Sequence, residues 1–142
     1  MKIVVKKKME VTKEEFFDYL KLVLLKELKH SVSKKIVKAD LVEGYGFNRQ
    51  VRLHDNKYVT KCKLVELNDY AYHLQVDNGA NVQHIVHRIK ELDDGRIEDT
   101  YEEYIESTKF WVRVQYVADR GKIKSKMRDT LNKFEIQIKG RR

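Results

Sequence analysis

The chain has no proline, one cysteine and only six glycines in 142 residues. Without proline or a Gly/Ser-rich tract nothing marks a linker, so residues 1–142 read as a single domain. The lone Cys62 excludes an internal disulfide and a cysteine-built zinc site, and it suits a reducing compartment, for which the cytoplasm is the expectation. No apolar run approaches the roughly 18 residues of a membrane span. The opening "MKIVVKKKMEV" carries charge but neither an apolar core nor a small-residue cleavage site, so it does not read as a signal peptide. Catalytic signatures are missing too. "EGYGFN" lacks the Lys-Ser/Thr and following helix of a phosphate loop, there is no Gly-x-Ser-x-Gly elbow, and mid-strand Cys62 has no evident base partner.

Charge, by contrast, is plentiful and uneven. The net +8 divides into +5 over residues 1–40, −5 over 41–107 and +8 over 108–142, where 11 basic side chains face 3 acidic ones. Either the basic terminal segments are answered internally by the acidic middle, or they meet an acidic protein, nucleic acid or membrane surface.

Periodicity gives the element order. "KIVVKKKM", residues 2–9, reads as a first strand. Thr12 and Glu15 form a capping box for a helix whose stripe is Phe16, Leu20, Val23, Leu24 and Leu28. Residues 31–46 suggest a short second helix and a glycine-flanked turn. From Phe47 to Ser107 apolar and polar residues alternate between the turn signals "HDNK", "LNDY", "VDNGA" and "LDDGR". Five antiparallel strands follow, near 47–54, 58–67, 70–77, 81–91 and 96–107, with Asn78-Gly79 and Asp94-Gly95 as the strongest turns. After Lys109 the helical period returns: Phe110, Val114 and Val117, then Ile123, Met127, Leu131, Phe134 and Ile138, with Gly121 between as a kink, break or close contact. A long amphipathic helix beside a one-sided meander buries its stripe by lying across the sheet. The fold class is α+β.

Two histidines stand three apart in "VQHIVHRI". Side chains i and i+3 of a strand diverge, so His84 and His87 are not expected to share a metal. A two-residue turn at Asn78-Gly79 would set His73 opposite His84 and Tyr72 opposite Ile85, with no third ligand beside them, whereas zinc needs three or four. His87 falls on the other face with Tyr70, Tyr72, Leu74, Ile85 and Ile89, the face expected to meet the final helix. A histidine there is a hydrogen-bonded core residue or a ligand-binding one.

The strand 96–107 carries Glu98, Glu102 and Glu106 on one face and Asp99 and Glu103 on the other, with Arg88 and Lys90 as expected cross-strand partners. Tyr58, Tyr70, Tyr72, Tyr101 and Tyr104 serve either as strand formers or as a cavity lining with hydroxyls at its polar end. Trp111 reads as an edge or closing residue, and "KIKSKMRDTLNK" as a helix with a basic exposed side.

With this order in place, strand, capped helix, short helix, five-strand meander and long helix, the chain resembles the helix-grip fold of START-like (SRPBCC) proteins over essentially its whole length. "EVTKEEFFDYL", "LNDYAYHLQV" and "DTYEEYIES" resemble an uncharacterised family of small Gram-positive bacterial proteins within that superfamily. The resemblance implies a sheet of about six strands wrapped on the last helix, with a cavity between them that takes a lipid-like or aromatic molecule in many members. It implies Tyr72, Leu74, Ile85, His87, Tyr104, Val114, Val117 and Met127 as cavity residues. Dense charge on the sheet and the "RGKIKSK" interruption point to a small or filled cavity. No cofactor and no metal are expected. The leading expectation is a non-enzymatic domain that binds a small, partly hydrophobic ligand. An interaction module using the basic termini is the alternative, and an enzyme using His87 with Glu102 or Tyr104 is a third.

Overall fold

In a computed structural model, which describes residues 1–29 and 35–142, the chain folds as β1 (Ile3–Met9), α1 (Lys13–Leu28), a 3₁₀ turn (Lys38–Asp40), β2 (Gly46–Leu53), β3 (Asn56–Leu67), β4 (Ala71–Asp77), β5 (Asn81–Glu91), β6 (Ile97–Ser107), α2 (Phe110–Ala118) and α3 (Arg120–Gly140). Of the short helix expected within 31–46, the described residues 35–46 form only this 3₁₀ turn, and 31–34 lie outside the described residues. The sheet is antiparallel throughout, in the order β1-β6-β5-β4-β3-β2. Helices α1 and α3 pack against its inner face, which is the α+β helix-grip arrangement.

The capping box forms as the sequence dictates. Glu15 N–H donates to Thr12 Oγ1 at 3.1 Å, and Thr12 N–H donates to Glu15 Oε1 at 2.9 Å. The stripe Phe16, Leu20, Leu24 and Leu28 is buried, joined by Phe17, while Val23 is only half-buried. Met127, Leu131 and Ile138 of α3 are buried against it, with Ile123 and Phe134 partly so. The two helices are tied at their ends. Arg142 donates to Glu15 Oε2 and Oε1 at 2.9 and 3.0 Å and to Glu10 O at 2.9 Å, and Lys139 Nζ lies 2.8 Å from Glu10 Oε2.

That clasp holds the Glu15 carboxyl down to about 2, chiefly through Arg142 and then the Thr12 backbone. A carboxyl depressed by folding contributes stability that is present above its unfolded pKa, about 4.3, and is lost as pH falls towards 2. Glu15→Gln should therefore cost about 1 kcal/mol at neutral pH and flatten the acid limb of stability between about pH 4.5 and 2, measured by urea unfolding across that range. An unchanged acid limb would sink the assignment.

Turn lengths set which side chains share a face. At β2–β3, His54 and Asp55 both take positive φ in a two-residue turn, pairing Leu53 with Asn56. At β4–β5 the loop holds four residues, Asn78–Asn81: Asn78 N–H donates to Asn81 O at 3.1 Å, and Asn78 Oδ1 accepts from Ala80 and Asn81. This corrects the expected two-residue turn and shifts the register by two, so Tyr72 faces His87 rather than Ile85, and His73 faces Val86. Two extra residues preserve the faces. At β5–β6 the loop Asp93-Asp94-Gly95 holds three, closed by Leu92 N–H donating to Arg96 O at 2.8 Å, with Gly95 at φ +83°. An odd loop exchanges the faces relative to a two-residue turn. His87 is consequently opposite Tyr101, and Glu102 and Tyr104 point away from it.

Candidate functional site

The inner face of β5 and β6 carries a polar row running from the core to open space. At its buried end His87 is 2% exposed and Asp99 0%, and His87 Nδ1 lies 2.7 Å from Asp99 Oδ2 across one hydrogen bond. Aromatic rings close around the imidazole: Tyr101 stacks at 4.3 Å, Phe16 of α1 meets it edge-on at 5.5 Å, Tyr72 of β4 lies at 6.0 Å and Phe134 of α3 at 6.2 Å. Burial pushes the Asp99 carboxyl up, only partly offset by His87, and Asp99 Oδ1 has no partner among the described residues. Next, the Tyr101 hydroxyl donates to Glu103 Oε2, and Gln83 Nε2 donates to Glu103 Oε1 at 3.3 Å. Tyr116, reaching in from α2, has a hydroxyl with no partner, pushed up to about 12 by burial and by the Glu103 carboxylate.

Gln83 is where the row reaches solvent. It lines an open site of about 470 Å³ with Arg49 and Val51 of β2, Tyr58 and Thr60 of β3, Val76 of β4, Ile105 of β6 and the Asn78–Asn81 turn. Its floor is the inner face of the β2–β3 end of the sheet. Helix α3 packs on β1 and α1, and among the described residues no helix residue lines the site. Among the described residues Arg49 is the single cation lining the site. Its Nη1 stands 3.8 Å from Glu27 Oε2 of α1, and its buried Nε has no hydrogen-bond partner among the described residues. The arrangement offers an apolar floor from Val51, Val76 and Ile105 with a guanidinium to one side.

The eight residues named from the sequence separate. Tyr72, Leu74, Ile85, His87 and Met127 lie on the inner face or its helix, the first two with His87 and Met127 buried in the core and Ile85 partly buried against it. Tyr104 is not among them. It lies on the outer face, stacked on His84 at 4.3 Å with Lys2 Nζ 5.0 Å above its ring, because the three-residue loop exchanged the faces. Val114 and Val117 are exposed rather than buried against the sheet. Tyr70, expected on the inner face, is exposed in the β3–β4 turn. The enzyme reading of His87 with Glu102 or Tyr104 fails on the same exchange: both stand on the face opposite His87.

On the outer face His73 Nε2 and His84 Nδ1 are 2.8 Å apart diagonally, and His84 Nε2 is 3.4 Å from Glu106 Oε1. Burial, then His84 and Arg88, lower His73 below the ordinary imidazole range. The β6 carboxylates find partners other than those expected: Lys2, just before β1, lies 3.7 Å from Glu102, and Arg88 pairs with Glu66 of β3 at 2.7 Å. Arg49, Val51, Thr60, Val76, Gln83 and Ile105 were not singled out in the sequence. Their signal was parity with Cys62, Leu74 and Ile85, and it could be read only once the uncovered end of the sheet was known.

Six antiparallel strands gripping a long C-terminal helix define a helix-grip protein of the START/SRPBCC type. Residues 1–120 match the model of the domain of unknown function DUF3284, and the chain belongs to that family. Among solved structures it is similar to a conserved protein from Geobacillus kaustophilus, with 15% identity, 99% of this chain and 96% of that one covered, and a TM-score of 0.64. It is also similar to Ara h 8.0201, with 11% identity, 99% and 98% covered, and a TM-score of 0.62. The polyketide cyclase-like protein Cgl2372 from Corynebacterium glutamicum has 10% identity, 96% and 88% covered, and a TM-score of 0.59. No curated protein matches the chain. Among the described residues no helix is long and apolar enough to cross a membrane.

Proposed function

We propose that the protein is a cytoplasmic binding domain, not a catalyst, that takes a small, partly hydrophobic ligand in the open site at the β2–β3 end of the sheet. The observation that carries the reading is Arg49, whose buried Nε lacks a partner above an apolar floor of Val51, Val76 and Ile105. A buried donor without a partner favours a ligand that supplies an acceptor, and the floor favours an apolar body. The helix-grip class supports binding in general and no particular ligand. On this reading the ligand lies at the β2–β3 end of the sheet rather than between the sheet and α3.

A medium-chain fatty acid such as octanoate serves as the probe. Its affinity, followed by isothermal titration and by native mass spectrometry, should fall roughly ten- to hundredfold in Arg49→Leu. Equal affinity in the two proteins, or no binding to either, would overturn the placement of the site.

A further inference from the structure

The stripe Phe110, Val114 and Val117 has the spacing of a buried helix face, yet α2 turns it outwards. Phe110 is 61% exposed, Val114 40% and Val117 55%, and the neighbouring Trp111 is 77% exposed. The helix meets the protein through Val112 and Tyr116, both half-buried, on its other side. The outward side is a shallow apolar depression of about 360 Å³ lined by Phe110, Arg113, Val114 and Val117. Four large apolar side chains held out of the core on one short helix are not scattered surface hydrophobics.

Charge says what covers them. Basic residues bracket the stripe: Lys109 at its start, Arg113 within it, and Arg120, Lys122 and Lys124 just after it. Among the described residues none of these five is in an ion pair, whereas Lys139 and Arg142 at the far end of α3 are held by Glu10 and Glu15. The positive excess of the C-terminal segment is thus answered at one end and left free around the apolar stripe. A second copy docking stripe to stripe would bring these cations together, and a polyanion such as nucleic acid would leave the valines without an apolar partner. An anionic lipid surface satisfies both features: Trp, Phe and Val enter the headgroup–acyl boundary while Lys and Arg meet the phosphates.

We propose that α2 is an interfacial docking helix that seats the protein on an anionic bilayer, with Phe110, Trp111, Val114 and Val117 inserted and Lys109, Arg113, Arg120, Lys122 and Lys124 on the headgroups. The surface is separate from the open site at the β2–β3 end, so either assignment stands if the other fails.

Trp111 is the only tryptophan in the chain, so its emission reports on the stripe directly. The full chain is mixed with vesicles rich in phosphatidylglycerol and, separately, with vesicles of phosphatidylcholine alone. Expected with the anionic vesicles are a blue shift, quenching by acyl-brominated lipid and flotation with the vesicles, all reversed by about 0.5 M salt. Partitioning should fall about fivefold for each charge removed in Arg113→Gln and Arg120→Gln. It should fall roughly tenfold or more in Val114→Ser/Val117→Ser, where both positions are exposed and Trp111 is retained. No blue shift with anionic vesicles overturns the proposal, and so does equal binding to neutral ones. A blue shift on concentrating the protein without lipid, with a doubled mass in sedimentation, overturns it in favour of a second copy of the chain.

Discussion

Asp99→Val should cost about 1–3 kcal/mol of stability, the range for leaving a buried hydrogen-bonding group without its partner. Asp99 is fully buried and is the hydrogen-bond partner of His87 Nδ1, which Phe16, Tyr72, Tyr101 and Phe134 close off from water. Removing the carboxylate takes away the hydrogen-bond partner of His87 Nδ1 inside this ring of side chains. Removing both partners is a different matter: His87→Leu/Asp99→Val should recover most of the loss, because an apolar pair of similar volume needs no hydrogen bond. Urea unfolding of the two single variants and the double variant makes the thermodynamic cycle. Additive losses would mean that the two side chains act independently.

The same pair has a pH signature. Burial raises the Asp99 carboxyl in the folded protein, so its contribution is fully present below its unfolded pKa, about 3.9, and is lost as pH rises through the folded value. The advantage of the wild type over Asp99→Asn should therefore shrink as pH rises from about 4, opposite in sign to the Glu15 limb. A gap that widens with pH would show that folding favours the ionised carboxylate.

Leu131→Ala should cost about 2–5 kcal/mol and open an apolar hole under α3. Leu131 is 0% exposed, set in a core that Phe16, Leu20 and Leu24 of α1 and Met127 of α3 share with the sheet. Truncating this fully buried side chain should open an enclosed cavity in its place. The hole would stay dry and take xenon or benzene, seen as ligand-dependent shifts of neighbouring methyl resonances. A loss below about 1 kcal/mol would show that α3 sits loosely on the sheet.

Local chemistry was enough to read most of the architecture. The Thr12–Glu15 box, the period change at Phe47 and the return of helical spacing after Lys109 each depend on neighbours in the chain, and each element formed within a few residues of its expected place. The turns at "HDNK", "LNDY", "VDNGA" and "LDDGR" were legible as turns for the same reason. The stripe Ile123, Met127, Leu131, Phe134 and Ile138 needed only an amphipathic helix and a sheet to lie on.

The site was a different problem, because it depends on quantities that composition does not carry. One residue more in the β5–β6 loop exchanged the faces of β6, moving Tyr104 outside and bringing Asp99 and Tyr101 to His87. Residues Asp93-Asp94-Gly95 contain a good two-residue signal, and the choice of three residues rests on where Gly95 takes positive φ and on the pairing it closes. The placement of β1 beside β6, on the far side of the sheet from β2, supplied Lys2 to Glu102 and put α3 over that end. The apolar floor beside Arg49 lies at the other end, where no described helix residue lines it. Val114 and Val117 show the limit most plainly. Their spacing demands an apolar partner, and the helical period alone placed it in the sheet, but the break at Asp119 lets α2 and α3 turn independently, so the apolar stripe of α2 faces out of the molecule while that of α3 faces in.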